Sequence, residues 1–184
     1  MTPALSADMT MSELLQQLPG AQRALFRQYH IGGCSSCSFQ PTETLAQVCQ
    51  RNDNLSVDEV IAYLLQSHEE DLKMQIAPKE LLAMLEADPA LRGRLVDIRT
   101  REEFDAVHIE GSQLFTQELM QEIQGRWERN RPLILVDHQG KRSLDAAAYF
   151  AGHGFPEVRA LRGGIDAWSE EAEPSLPRYE IEQA

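Results

Sequence analysis

Apolar positions along this chain follow two different periods. From Leu14 to Leu65 they recur at helical spacing. Leu14, Leu15 and Leu18 begin an apolar face, Pro19-Gly20 interrupts it, and Ala24, Leu25 and Tyr29 resume it. Gly32-Gly33 is expected to stop that helix by supplying a residue free to take positive φ. Thr42 reads as the N-cap of a helix over "ETLAQVCQR", and Ser56 with Glu59 as a capping box opening "VDEVIAYLLQSH". The polar run "QSHEEDLK", Gln66 to Lys73, has no apolar face and reads as a helix end plus linker.

From Ile76 the pattern changes. "PKELLAMLEAD" predicts an amphipathic helix with Pro78 near its start, "RLVDIR" a short strand and "REEFDAVH" a short helix. Then "QELMQEIQGRW" reads as helix, "LILVD" as strand, "SLDAAAYFAGHG" as helix, "VRALRG" as strand and "GIDAWSEEA" as the last helix. Short apolar runs alternating with helices predict an α/β unit with a parallel sheet flanked by helices. The expected organisation is an all-helical domain over residues 1–68, a linker over 69–75 and the α/β domain over 76–184.

Composition bounds the function. The 184 residues are 42% hydrophobic and 25% charged, as in an ordinary globular protein. Net charge is −12, spread as −5 over residues 1–75 and −7 over 76–184, so no basic surface for nucleic acid is expected. No apolar run approaches the roughly 18 residues that span a membrane. The N-terminal stretch has neither a basic start nor a continuous apolar core, so no secretion signal and a cytoplasmic location are expected. All three cysteines (Cys34, Cys37, Cys49) lie in the first third of the chain. In a reducing compartment a close pair points to redox, sulfur or metal chemistry more than to a structural bridge.

"LILVDHQGKRS" carries the first candidate site: Asp137, His138, Gln139, Gly140, Lys141, Arg142 and Ser143. A strand feeding a glycine-containing loop and a helix N-terminus makes an anion cradle, because free backbone N–H groups converge there. In a parallel sheet such a loop lies beyond the strands' carboxyl ends, where ligands bind. The first loop position, where a nucleophile would stand, holds Asp137. His138 is expected to face solvent.

Residues 76–178 resemble the rhodanese homology domain. "LVDIRTREEFDAVHIEGS", with Asp97, Arg99, Glu103, Phe104, His108, Ile109, Gly111 and Ser112, is similar to the family's D-x-R…E-F…H-I-x-G segment. "GFPEVRALRGGIDAW" is similar to its closing segment, and "LILVDHQGKRSLDAA" to its active-site strand, loop and helix. The resemblance implies a loop that begins with a cysteine carrying sulfur as a persulfide. It implies no catalytic part for His108. Gly140, Arg142 and Ser143 match the loop, but residues 76–184 contain no cysteine. A carboxylate cannot form a persulfide, and it would fill the cradle with its own charge. No thiosulfate sulfurtransferase activity is therefore expected from this loop alone. Transfer through an aspartyl-phosphate would need a metal and acidic ligands that "DHQGKR" does not supply. Asp137 could instead simply cap the loop and the following helix.

"YHIGGCSSCSFQPTETLAQVC" holds the second candidate, the C-x-x-C pair Cys34 and Cys37. This spacing lets two sulfurs form a disulfide or share a metal. Residues 10–66 resemble a small helical family, the hybrid-cluster-protein-associated redox disulfide domain, through "YHIGGC", C-x-x-C and "PTETLAQVC". The resemblance nominates Cys34 and Cys37 as a redox or sulfur-handling pair. Cys49 shares an apolar helix face with Leu45 and Val48 and reads as a buried structural thiol. A metal alternative would recruit His30, Cys34, Cys37 and Cys49 for zinc, or Cys34 and Cys37 of two protomers for an iron–sulfur cluster.

Two functions stand at this point. One is a sulfur-metabolism or thiol-redox protein with a Cys34/Cys37 dithiol and a pseudoenzyme rhodanese-like domain. Its partner would be a thiol or persulfide-carrying protein, or a small anion at the loop, and it requires no cofactor. The other is a non-catalytic adaptor whose cysteines are structural or carry zinc or an iron–sulfur cluster.

Overall fold

The computed structural model describes residues 3–32 and 39–179. The chain divides into two units, Met1–Lys73 and Met74–Ala184.

The first unit is helical: α1 (Met11–Gln17), α2 (Ala21–Tyr29), α3 (Leu45–Arg51) and α4 (Val57–Lys73). Thr10 with Glu13 and Thr44 with Gln47 form capping boxes, each side-chain oxygen accepting an otherwise unpaired N–H of the first turn. The two caps lie side by side, since Met11 N–H donates to the Glu43 carbonyl and Leu45 N–H to that of Met9. The N-cap of α3 is thus Thr44 and not Thr42, because only Thr44 stands three residues before a glutamine that can close the box. Helix α2 ends at His30, whose own backbone is left-handed (φ 57°), one step before Ile31 and Gly32. Gly32, with φ +88°, therefore follows the cap and does not form it; Gly33 lies outside the described residues. Met11, Leu14, Leu25, Leu45, Val48 and Leu64 fill the core.

Residues 69–73, expected as linker, continue α4. Their polarity hides a buried side: Asp71 is 4% exposed and pairs with Arg23 from α2. A Cβ on Gly20 would collide with that Asp71 carboxylate, so Gly20 marks the close approach of the α1–α2 turn to α4.

The second unit is a five-stranded parallel sheet of β1 (Gln75–Ile76), β2 (Leu95–Asp97), β3 (Gln113–Leu114), β4 (Leu133–Val136) and β5 (Val158–Leu161), in the order β1-β5-β4-β2-β3. The helices are α5 (Pro78–Ala87), α6 (Arg101–Ala106), α7 (Gln117–Arg126), α8 (Arg142–Gly152) and α9 (Gly164–Glu171), with a 3-10 turn at Pro89–Arg94. Alternate residues of β4 enter opposite cores. Ile134 and Val136 pack with Leu81, Leu85, Ile165 and Trp168 of α5 and α9; Leu133 and Leu135 pack with Ile123, Leu144, Ala147 and Phe150 of α7 and α8. Burial on both faces explains why β4 reads as an unbroken apolar run. Strands β1 and β3 escape the hydropathy pattern because each is two residues long.

Candidate active-site loop

Strand β4 delivers Asp137 to the carboxyl edge of the sheet, where the loop 138–141 turns into α8. Asp137 is 3% exposed, and its carboxylate is fully engaged by its own loop. Oδ1 accepts from Gly140 N–H at 2.6 Å and from the Ser143 hydroxyl at 2.8 Å. Oδ2 accepts from Arg142 N–H at 2.9 Å and Lys141 N–H at 3.1 Å. Three amides of the loop and helix start thus converge on one carboxylate. This arrangement satisfies N–H groups that a helix N-terminus leaves open.

The loop is shaped from below by α9. Asp137 carbonyl oxygen accepts from Ile165 N–H at 2.9 Å, and that of His138 from Asp166 N–H at 3.2 Å. Gly163 and Gly164 both take left-handed backbone to make this contact, and a Cβ on Gly164 would overlap the Asp137 and His138 carbonyl groups. "RGGIDAW" therefore serves as the platform on which the cradle rests.

A cleft of about 520 Å³ opens over the loop. His138, Lys141 and Arg142 form one side; Arg99, Asp166, Arg178 and Tyr179 form much of the rest. Arg99 is buried, donates to Asp97 at 2.6 Å and 2.9 Å, and donates to the Val107 carbonyl at 2.7 Å. It also donates to the Tyr179 hydroxyl at 2.6 Å, which in turn donates to Glu103 at 2.9 Å. Burial pushes the Tyr179 hydroxyl above its ordinary pKa. Burial also pulls Glu103 upward, but the Thr100 N–H, Tyr179 hydroxyl and Thr100 hydroxyl outweigh it and hold the carboxyl below its ordinary value. Arg178 grips Asp166 through two bonds of 2.7 and 2.8 Å, and this lowers the Asp166 pKa.

His138, expected to face solvent, is half-buried on the wall of the cleft. Its ring lies 4.7 Å from that of Tyr179, and its Nδ1 is buried with no hydrogen-bond partner among the described residues. The C-terminal segment covers it, and nothing in the hydropathy pattern marks Arg178 and Tyr179 as wall residues. Arg99, Glu103 and Asp166 sit inside recognised motifs, but only the folded chain turns them toward the cleft. His108 stacks on Phe104 at 4.2 Å with Nδ1 2.8 Å from the Phe104 carbonyl oxygen, away from the loop's chemistry.

In the helical unit, Cys34 and Cys37 lie outside the described residues. Cys49 is 1% exposed in the core, and burial pushes its thiol pKa up. His30 is exposed, with its ring edge-on to Phe26 at 6.1 Å. Among the described residues no cluster of three or more histidine, cysteine or acidic side chains is placed to hold a metal. None of their helices is long and apolar enough to cross a membrane.

Comparison with known proteins agrees with this architecture. The rhodanese-like domain family matches residues 77–171. The thiosulfate sulfurtransferase GlpE of Shewanella oneidensis is 34% identical over 95 residues, which are 52% of this chain and 91% of that protein. The probable adenylyltransferase/sulfurtransferase MoeZ of Mycobacterium tuberculosis is 34% identical over 106 residues; these are 56% of this chain but only 26% of that longer protein. The crystal structure of reduced Bacillus anthracis CoADR-RHD aligns with 77% of this chain and 23% of its own, at 17% identity and a TM-score of 0.51, a likeness of fold alone. With most of the second unit matched, the chain belongs to the family of proteins that carry a rhodanese-like domain.

Proposed function

We propose that this chain is a sulfur-metabolism or thiol-redox protein of the reducing cytoplasm. In it Cys34 and Cys37 are the reactive pair, and the rhodanese-like domain has lost its nucleophile. The observation that carries this reading is the Asp137 carboxylate, bound by three amides and a hydroxyl of its own loop. Those donors are where a sulfur oxyanion or a persulfide would need stabilisation. With them committed internally, the loop acts as a binding and docking element and not as a sulfurtransferase centre. The sulfurtransferase relatives support a sulfur context, with a thiol or persulfide-carrying protein as partner.

Burial of Cys49 supports a dithiol over a zinc site built within one chain. A tetrahedral site needs four ligands, and a thiol held protonated in an apolar core is a poor one. Metal analysis of anaerobically purified protein tests this directly. Stoichiometric zinc or iron would favour the adaptor reading.

The loop itself is tested by a thiosulfate:cyanide assay on the full chain and two variants. The expected result is no turnover dependent on Asp137: wild type and Asp137→Ala behave alike. Asp137→Cys places a thiolate among the same donors, which lower its pKa, and gains activity. Turnover by the wild type that Asp137→Ala abolishes overturns the reading.

A further inference from the structure

A second cavity in the rhodanese-like unit shares Arg142 with the mixed-charge cleft. It encloses about 340 Å³ between Ile98, Phe115, Met120, Tyr149 and Phe150, and Arg142 is its one charged wall residue among the described residues. The walls are carried by regular structure. Ile98 N–H donates to the Val136 carbonyl and Phe115 N–H to that of Asp97, both at 2.8 Å, so these residues extend the ladders of β2 and β3. Met120 rides on α7, and Tyr149 and Phe150 on α8.

Its place in the topology is that of a ligand site. Strand β2 leads onward to β3 on one side of the sheet, while β4 leads to β5 on the other. Between β2 and β4 the connections diverge, leaving a crevice at their carboxyl ends, the position favoured for ligands in open parallel sheets. Phe115 and Tyr149, 36% and 44% exposed, are two of the four large apolar side chains left this open among the described residues.

Charge identifies the occupant. On a chain of net charge −12, the other two arginines of the neighbouring cleft are taken by carboxylates, Arg99 by Asp97 and Arg178 by Asp166. The side chains of Arg142 and its neighbour Lys141 are exposed and have no acidic partner among the described residues. We infer that the pocket takes a small amphiphilic anion. An aromatic or branched hydrocarbon body fills the apolar part, and a carboxylate or similar oxyanion meets Arg142, with Lys141 beside it in sequence on the adjoining cleft. A cavity of this size is at the lower end of small-molecule sites, consistent with a body of about ten carbon atoms. The inference rests on the reading above in one respect: because Asp137 holds the loop amides, the head group is assigned to side chains.

The test is a titration of the isotope-labelled full chain, followed by amide NMR, with 2-naphthoate and with its uncharged isostere 2-naphthamide. Naphthoate is expected to shift Phe115, Met120, Arg142 and Tyr149 and to bind about tenfold or more tightly than the amide. Arg142→Gln should bring the two affinities together. Phe115→Ala, or Tyr149→Ala in its place, should weaken both probes about tenfold while the spectrum remains that of a folded chain. Equal affinities in the wild type, shifts confined to other regions, or no saturation up to about 5 mM overturns the inference. The thiosulfate assay does not bear on this outcome, so failure of one reading is distinguishable from failure of the other.

Discussion

The Ser143 hydroxyl donates to the Asp137 carboxylate at 2.8 Å, with both residues buried. One side chain of the α8 first turn thus joins three backbone amides in holding one buried carboxylate, which in the proposed reading stands where an anion would bind. Asp137 is in effect a tethered ligand.

Removing that ligand should leave a vacancy that a free anion can refill. Asp137→Ala strips the acceptor from four donors, and leaving buried donors unsatisfied should destabilise the unit by about 3 kcal/mol in urea unfolding. Formate, a carboxylate without the tether, should restore part of that loss in the variant by binding the folded state alone. Chloride at equal ionic strength should not, and wild type should respond to neither. If formate gives no more protection to the variant than to wild type, the cradle does not survive without Asp137.

Gly140 holds the same loop by a different physics. Its φ is +80°, and a Cβ there would lie 2.6 Å from Gly163 N and 2.9 Å from the Leu161 carbonyl oxygen. Gly140→Ala therefore combines left-handed strain with overlap against backbone that cannot swing aside. A loss of about 2 kcal/mol or more is expected, whereas the same change at the exposed helical Gly152, with open space around its Cβ position, should gain about 0.5 kcal/mol. Absence of any loss at Gly140 would show that the loop relaxes freely away from α9.

These two residues also show what a sequence can reveal. Gly140 and Ser143 are legible because motif spacing fixes their place, and β4 because four apolar residues in a row report burial on both faces. His138 was not legible. Its environment is made by Tyr179, 41 positions away, and periodicity carries no information about which distant segment covers a loop. The tail of α4 failed for a related reason: Asp71 is buried by pairing with Arg23, and a charged residue gives no hydrophobic signal even where it is enclosed.

The hydroxyl of Tyr179 couples the C-terminal segment to Arg99 and Glu103. Tyr179→Phe removes two hydrogen bonds and is expected to lower stability by about 1 kcal/mol at neutral pH. The sign of the pH dependence follows from Glu103, whose carboxyl is held below its ordinary value of 4.5. A depressed carboxyl stabilises the fold above its unfolded-state value, and that contribution is lost as pH falls through the lower folded value. The gap between wild type and Tyr179→Phe should therefore stay constant from about pH 6 to 8 and shrink below about pH 4. Urea midpoints across that range measure it, and a gap that widened on acidification would contradict the Glu103 pairing.

The three thiols, all in the helical unit, are expected to divide into two kinds. Cys49 is enclosed by α3 and its neighbours, and burial raises its pKa, so its thiolate is both scarce and shielded. Titration of the reduced native chain with an aromatic disulfide reagent at pH 8 should show one slow thiol, reacting at the rate of unfolding. Cys34 and Cys37 should react first. After mild oxidation the fast phase should vanish as the pair closes into a disulfide, and the slow thiol should remain and appear at once in denaturant. Cys49→Ala should delete only the slow phase. If Cys34 and Cys37 form no disulfide and react no faster than a model thiol, the dithiol reading fails. If instead all three thiols react together, Cys49 is not the core residue its burial describes.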